Sequence, residues 1–357
     1  MTLAVAIPTY KRPHLLRLLV EDVLKQSLLP DYILVVDGDP QSGDVRRELS
    51  QVSAAVPLTY IPSNHGNLAY QRYLGWKASR DTGASLLIYF DDDERLIQAD
   101  VLDWLVRPFA EANVVGVGCV IRFGERSDGS DAATARQRGR RSRLAELFGS
   151  GRNISPGGLT PTGHRSPPLS DVEDYRTVKW LRGGVMAYRM AALSESTFSD
   201  DLFALDHVHC GLGEDTFLSR RVGARGKLLY TFRAVVDHPN ADTPKSYPFE
   251  ASKYAYAAAY SRRLQNDYYR VYEPPRLADR WALVKSYAGT TLLAWMRTIT
   301  SPSKLHFALA RGTTLGAIHG LTRPPTAKRL TPDIHWRADA EAALKNAQVT
   351  YDVPRPQ

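Results

Sequence analysis

Short aliphatic runs alternate with longer amphipathic stretches through the first third of the chain, the pattern of strands crossed over by helices onto a mostly parallel sheet. LAVAI at Leu3 to Ile7 predicts a buried strand, and Pro13, suited to a first helical turn, opens a helix with Leu15, Leu16, Leu19, Val23 and Leu24 on its apolar face. YILVVD ends a second strand at Asp37, LTYI a third near Ile61, and SLLIYF a fourth that runs directly into Asp91, Asp92 and Asp93. Helices are expected over 67–79 and 97–109, and VVGVGCVI reads as a fifth strand that carries Cys119 into the core as a small hydrophobe. The expected class is α/β, with a mostly parallel central sheet flanked by helices.

From about 124 to 176 the pattern gives way to Gly, Ser, Pro and Arg, including Arg136, Arg138, Arg140, Arg141 and Arg143. A connection this long predicts a mobile loop or an insertion. Order returns with KWLRGGVMAYRM, a loop leading into a strand, then a helix starting near GEDTFLSRR, then KLLYTFRAVVDH as two short strand-like runs ending at Asp237 and His238. Tyrosines interleaved with Lys and Arg over 250–272 read as a helix laid across the core, and 279–298 and 303–318 as two further helices. PPTAKRLTPDIHW and VPRPQ read as extended termini. The expected organisation is a catalytic unit over 1–248, with 124–176 as its long loop or insertion, and a basic, mainly helical C-terminal extension over 249–357.

Charge sharpens that division. The formal net charge of +8 splits into 30 basic and 31 acidic side chains over residues 1–250 and 16 basic and 7 acidic over 251–357. The excess belongs to the tail, which suits an anionic membrane surface, an anionic partner, a second subunit or a merely solvated face. Two cysteines, Cys119 and Cys210, exclude a disulfide framework and a multi-cysteine zinc site. The N-terminal TLAVAIPTYKRP has none of the features of a signal peptide. SYAGTTLLAWM, between Lys285 and Arg297, falls short of the roughly 18–20 apolar residues of a spanning helix. The expected location is cytoplasmic, or peripheral on the cytoplasmic face of the membrane.

The chemistry concentrates at Asp91, Asp92 and Asp93, since adjacent carboxylates repel one another and invite a cation or hydrogen-bond donors. Side chains alternate along extended backbone, so Asp91 and Asp93 are expected on one side and Asp92 on the other; the other reading is an acidic strand-end turn that caps the helix after Glu94. Carboxyl ends of strands collect ligands in open α/β sheets, and Thr9, Asp37 and the aspartates all occupy such ends.

Six motifs in order then resemble a family-2 glycosyltransferase with the A-type nucleotide-diphospho-sugar transferase fold: AIPTYKRP (from Ala6), VVDGDP (from Val35), NHGNLAYQRYLG (from Asn64), DDD (from Asp91), RGGVMAYR (from Arg182) and GEDTFLSRR (from Gly213). The resemblance implies that Thr9 and Tyr10 border the nucleoside, with Arg12 and Asn64 beside it, that Asp37 reads the base, and that Asp91 and Asp92 contact the ribose or diphosphate. It makes Asp93 the principal ligand of a divalent metal, Mn2+ or Mg2+, with Asp91 and His238 completing the site. A structural histidine bonded near Asp237 is the other reading of His238. The resemblance assigns the base to the Glu214–Asp215 pair, Asp215 first and Glu214 as alternative base or acceptor-binding group. Gly183 and Gly184 suit close approach of the acceptor sugar, and Trp180 reads equally as a stacking surface for that sugar or as a core residue.

The implied activity is inverting, metal-dependent transfer of one sugar from a nucleoside-diphosphate donor of UDP, dTDP or GDP type to a hydroxyl acceptor on a lipid-linked or cell-envelope glycan. SRRVGARG stands where processive synthases carry Gln-x-x-Arg-Trp, which favours single transfer. The alternatives are nucleotidyl transfer to a sugar phosphate, which TYKRP serves poorly for want of glycine, and a non-catalytic nucleotide-sugar sensor or membrane-surface scaffold. A nucleic acid partner is disfavoured by the core motifs, and a homo-oligomer is left open.

Overall fold

The structure, a computed structural model, describes residues 1–53, 55–123, 154–168, 173–239 and 250–351. Nine strands form one mixed sheet. Its parallel half is β1 (Leu3–Thr9), β2 (Tyr32–Asp37), β3 (Leu58–Pro62) and β4 (Leu86–Phe90), in the order β4-β1-β2-β3. Every residue of β1 and β4 is buried, because both faces are covered and continuous aliphatic runs suit a doubly covered parallel sheet. On one face α1 (Pro13–Val23) packs Leu16, Leu19, Val20 and Val23 against Val5, Ile7 and Val35. On the other, α3 (Leu68–Asp81), the next long helix after the short α2 (Asp44–Leu49), packs Tyr70, Tyr73, Leu74 and Trp76 against Ala4, Ala6, Leu34 and Val36. The expected helix over 97–109 is α4 (Val101–Val106) with a short 3-10 turn over Arg107–Ala110.

β5 (Val114–Phe123) is the fifth strand, and Cys119 is buried in it. β6 (Tyr175–Val178), β7 (Val185–Arg189) and β8 (Lys227–His238) complete the other half. β7 lies antiparallel between β4 and β5, β8 runs parallel to β5, and β6 closes that edge antiparallel to β8. The two runs expected in KLLYTFRAVVDH are one strand: pairing passes from Cys119↔Thr231 to Val120↔Val235, so a bulge absorbs the intervening residues and the ladder resumes up to His238. The arginines between 136 and 143 lie outside the described residues.

Between β7 and β8 come α5 (Asp200–His207) and α6 (Glu214–Gly223). The tail contributes α7 (Ala251–Asp267), α8 (Leu277–Thr300) and α9 (Lys304–Thr322), close to the helices expected. α7 lies across the core through Ala257, Tyr260 and Leu264. The expectation of extended termini does not hold for PPTAKRLTPDIHW. It forms α10 (Ala327–Leu330) and the start of α11 (Trp336–Lys345), and β9 (Gln348–Tyr351) then pairs antiparallel with β3. Trp336 explains the return: its ring is 2% exposed among His65, Tyr70, Phe203 and His207. VPRPQ lies outside the described residues.

Candidate active site

Ligands of open α/β sheets collect in the crevice outside the carboxyl ends of the strands. Here the ends of β1, β2 and β4 are bordered by the loop before β7 and the start of α6, whose Gly183 and Glu214 bond Arg72, and by the end of β8, whose His238 faces Asp93. After Thr9 the chain turns sharply, Lys11 taking φ 58°. Glycine is required at Gly66, where a Cβ would collide with the Tyr10 ring, and at Gly38, where it would lie 2.8 Å from the Gly66 Cα. Gln71 donates to the carbonyls of Thr9 and Val36, both at 2.7 Å, so α3 fixes the ends of β1 and β2.

β4 stops at Phe90 and the acidic run forms a turn, Glu94 donating its amide to the Asp91 carbonyl at 3.2 Å. The alternation expected of an extended segment is therefore lost. Asp92 and Asp93 share one cation, Arg12 Nη1, at 3.2 and 2.5 Å, while Asp91 accepts from Arg72 at 2.7 Å. Asp92 also accepts from the Thr9 hydroxyl at 2.7 Å, and burial raises its carboxyl to about 7 against the opposing effect of Arg12. Asp92 thus ties the turn to β1.

Asp93, Glu94 and His238 form the group whose ligand atoms converge, within 4.8 Å of one another. His238 Nδ1 lies 3.5 Å from Asp93 Oδ1 and 3.4 Å from Glu94 Oε1. Burial raises the Glu94 carboxyl to about 7, while Glu94 draws the imidazole toward its protonated form. Glu94 Oε2 and His238 Nδ1 are buried without a hydrogen-bond partner. Orphaned buried donors and acceptors of this kind, two carboxylates and one imidazole, suit a divalent cation. Asp91 is not one of the three, since Arg72 takes its side chain away. Glu94 replaces it, and four consecutive acids, Asp91 to Glu94, were the sequence signal for it.

The acid pair opens α6. Asp215 is 6% exposed and accepts from the Thr216 amide at 2.6 Å, the Gly183 amide at 3.2 Å and Arg165 Nη1 at 2.9 and 2.8 Å. Glu214 accepts from Arg72 Nη1 at 2.8 Å, and burial, then the neighbouring Asp215, raises its carboxyl to about 7. Arg72, 1% exposed on α3, spans both acidic groups and also reaches the Gly183 carbonyl at 2.9 Å. Sequence reasoning missed Arg72; a charged residue inside the apolar face of a helix was its only signal. Five carboxylates (Asp91, Asp92, Asp93, Glu214 and Asp215) here meet three guanidiniums (Arg12, Arg72 and Arg165), while Glu94 faces His238.

The remaining expected residues divide. Asp37 is fully buried, its oxygens accepting from the Tyr60 hydroxyl at 2.8 Å and the Asp39 amide at 2.9 Å, so it anchors the loop after β2. Asn64 is exposed, and it is Asn67 that caps α3, accepting from the Tyr70 amide at 3.0 Å. Trp180 is buried, donating to the Ser166 carbonyl at 3.1 Å with the Arg165 guanidinium 4.8 Å from its ring centre. A Cβ on Gly184 would collide with Glu94, and one on Gly183 would press on Asp215 at 3.2 Å, so these glycines admit the protein's own carboxylates.

Residues 4–165 match the family model described as glycosyl transferase family 2. No curated protein matches the chain. Among solved structures, S. aureus TarS 1-349 in complex with UDP-GlcNAc is similar with a TM-score of 0.52 and 12% identity, covering 96% of this chain and 89% of that one. The mannosyltransferase PcManGT from Pyrobaculum calidifontis, in complex with GDP-Man and Mn2+, gives 0.49 and 15% over 89% and 86%. At 12% identity the likeness to TarS is one of fold.

Proposed function

We propose, from the match of residues 4–165 to the glycosyl transferase family 2 model, that this chain is a member of that family and moves one sugar from a nucleoside-diphosphate donor to a hydroxyl acceptor, with inversion at the anomeric carbon. The observation that carries this reading is Arg72, whose two terminal nitrogens join the acidic turn at Asp91 to the acid pair at Glu214 across one crevice. A cation site and a base are thereby held in fixed relation, as displacement at a carbon flanked by a leaving diphosphate and an incoming hydroxyl requires.

In this reading the nucleoside lies along the loops after β1 and β2, bordered by Thr9, Tyr10, Arg12, Asn64 and the loop that Asp37 anchors. The donor seen with TarS, UDP-GlcNAc, supports a nucleotide sugar of that general kind. Asp93, Glu94 and His238 would hold a divalent cation, Mn2+ or Mg2+, which when bound offsets the charge of the departing diphosphate. Asp215 takes the acceptor hydroxyl's proton as the new C–O bond forms and the bond to the diphosphate oxygen breaks. Arg165 covers both Asp215 oxygens and leaves them when the acceptor enters. A specific observation favours Glu214 as the second candidate base: it is raised toward neutrality, and only one of its oxygens has a partner among the described residues.

The test is a panel of nucleotide sugars with Mn2+ or Mg2+, reading nucleoside-diphosphate release with and without glycan and lipid-linked acceptors. Acceptor-dependent release from one donor is expected. Donor binding with no turnover across the panel would overturn the reading in favour of a sensor.

A further inference from the structure

Helices α8 and α9 both carry large apolar side chains on their outer faces. α9 turns its small residues inward, Gly312 and Gly316 lying so close to the backbone of Ser252 and Tyr256 on α7 that no side chain would fit. Its large apolar side chains, Leu305, Phe307, Leu315, Ile318 and Leu321, are exposed. α8 likewise buries Asp279, Leu283, Ser286, Tyr287 and Gly289 and exposes Leu277, Trp281, Val284, Leu292, Met296 and Ile299. Trp281, Val284, Leu292, Met296 and Ile299 fall at helical spacing and form one stripe along α8. The two helices pack side by side, Trp295 donating from Nε1 to the Thr314 hydroxyl at 2.9 Å and meeting the Phe307 ring edge to face. Of the 18 exposed large hydrophobic residues among the described residues, 11 lie on this hairpin, so its apolar face is not the scatter of an ordinary surface.

The charges around it select the occupant. Lys285, Arg297, Lys304, Arg311, Arg323, Lys328 and Arg329 are exposed. Residues 277–332 contain a single acid, Asp279, which is buried and bonded to Arg270. Two copies meeting through this face would bring cations against cations, which disfavours a self-complementary dimer. An anionic bilayer surface satisfies both features, apolar side chains entering at headgroup level and Lys and Arg meeting lipid phosphates. We propose that the α8–α9 hairpin docks on the surface of a membrane rich in anionic lipid. The proposal does not depend on the transferase reading. It places the acid pair one helix from the bilayer, because α7 packs on α9 with one part and holds the Gly213 carbonyl through Gln265 with another.

Flotation of the full chain with vesicles of phosphatidylcholine alone or mixed with phosphatidylglycerol tests it without reference to activity. The wild type is expected to float with the mixed vesicles, to stay behind with phosphatidylcholine alone, and to be released by high salt. Ile299→Asp with Phe307→Asp, at exposed positions, should weaken partitioning by at least about tenfold, with an unchanged circular dichroism spectrum. Arg297→Glu with Lys304→Glu and Arg311→Glu should do so independently by charge. No flotation with phosphatidylglycerol, unimpaired flotation of both variants, or sedimentation showing a dimer that the aspartate variant dissolves would each overturn the proposal.

Discussion

Arg165 donates through one nitrogen to both carboxylate oxygens of Asp215, at 2.9 and 2.8 Å, while the Arg165 side chain keeps 37% of its surface exposed. Its exposure leaves the guanidinium room to swing away. The oxygens it covers are those that must accept a proton if Asp215 is the base. Asp215→Asn is expected to lower kcat by about a hundredfold to ten-thousandfold while donor affinity, read by titration calorimetry, stays near wild type. Glu214→Gln should cost less. The reverse ranking would transfer the role to Glu214.

Arg72 also carries stability. It is buried, with Asp91, Glu214 and the Gly183 carbonyl as partners. Removing one member of a buried ionic group strands the others, at a cost of about 3–5 kcal/mol. Urea denaturation of Arg72→Met should show a loss of that order, partly recovered when Asp91→Asn and Glu214→Gln are added. Equal loss in the triple variant would mean that the charges do not interact.

Burial and Asp215 raise the Glu214 carboxyl from 4.5 to about 7. The folded chain then binds more protons than the unfolded one between those values, so this group's contribution to stability is full below about pH 4.5 and is lost as pH rises through about 7. Melting temperatures of the metal-free protein at pH 5 and 7.5 should therefore fall with pH less steeply in Glu214→Gln than in the wild type. Identical slopes would place the ionisation elsewhere.

The parallel half of the sheet was legible because its strands are continuous aliphatic runs and its helices begin at Pro13 and after a polar loop. Clustered acids at strand ends likewise located the crevice. A turn at the end of that strand was one of two readings, but where it points the side chains could not be read: it aims Asp91 at Arg72 and brings Glu94 beside His238. Arg72 was invisible because its partners lie 19 and 142 residues away. The return of α11 and β9 was missed because a Pro-rich approach masks one buried tryptophan and a short edge strand.

Replacing Asp91 by Glu94 at the cation site gives distinct expectations for neighbouring acids. Mn2+ binding, followed by electron paramagnetic resonance, should be lost in Asp93→Ala, and weakened about tenfold or more in Glu94→Gln and His238→Ala, as for loss of one ligand among few. Asp91→Asn should bind Mn2+ much as the wild type does. A variant at Asp91 that loses Mn2+ while Glu94→Gln retains it would restore the ligand set implied by the sequence.

Trp336 links the end of the chain to the crevice. It packs on His65, whose Nε2 lies 3.0 Å from Asp339 Oδ2 on the same helix, and His65 precedes Gly66, the residue against which Tyr10 closes. Trp336→Ala removes a buried indole from an aromatic cluster, which should cost about 3–5 kcal/mol in urea denaturation. Loosening the His65–Gly66 loop should also release Tyr10, so donor affinity is expected to fall even at temperatures where the variant remains folded. His65→Ala separates the two effects: it leaves the indole in place and should lower donor affinity with a smaller loss of stability. Unchanged donor binding in both variants would mean that α11 supports the sheet edge alone and has no hold on the nucleoside loops.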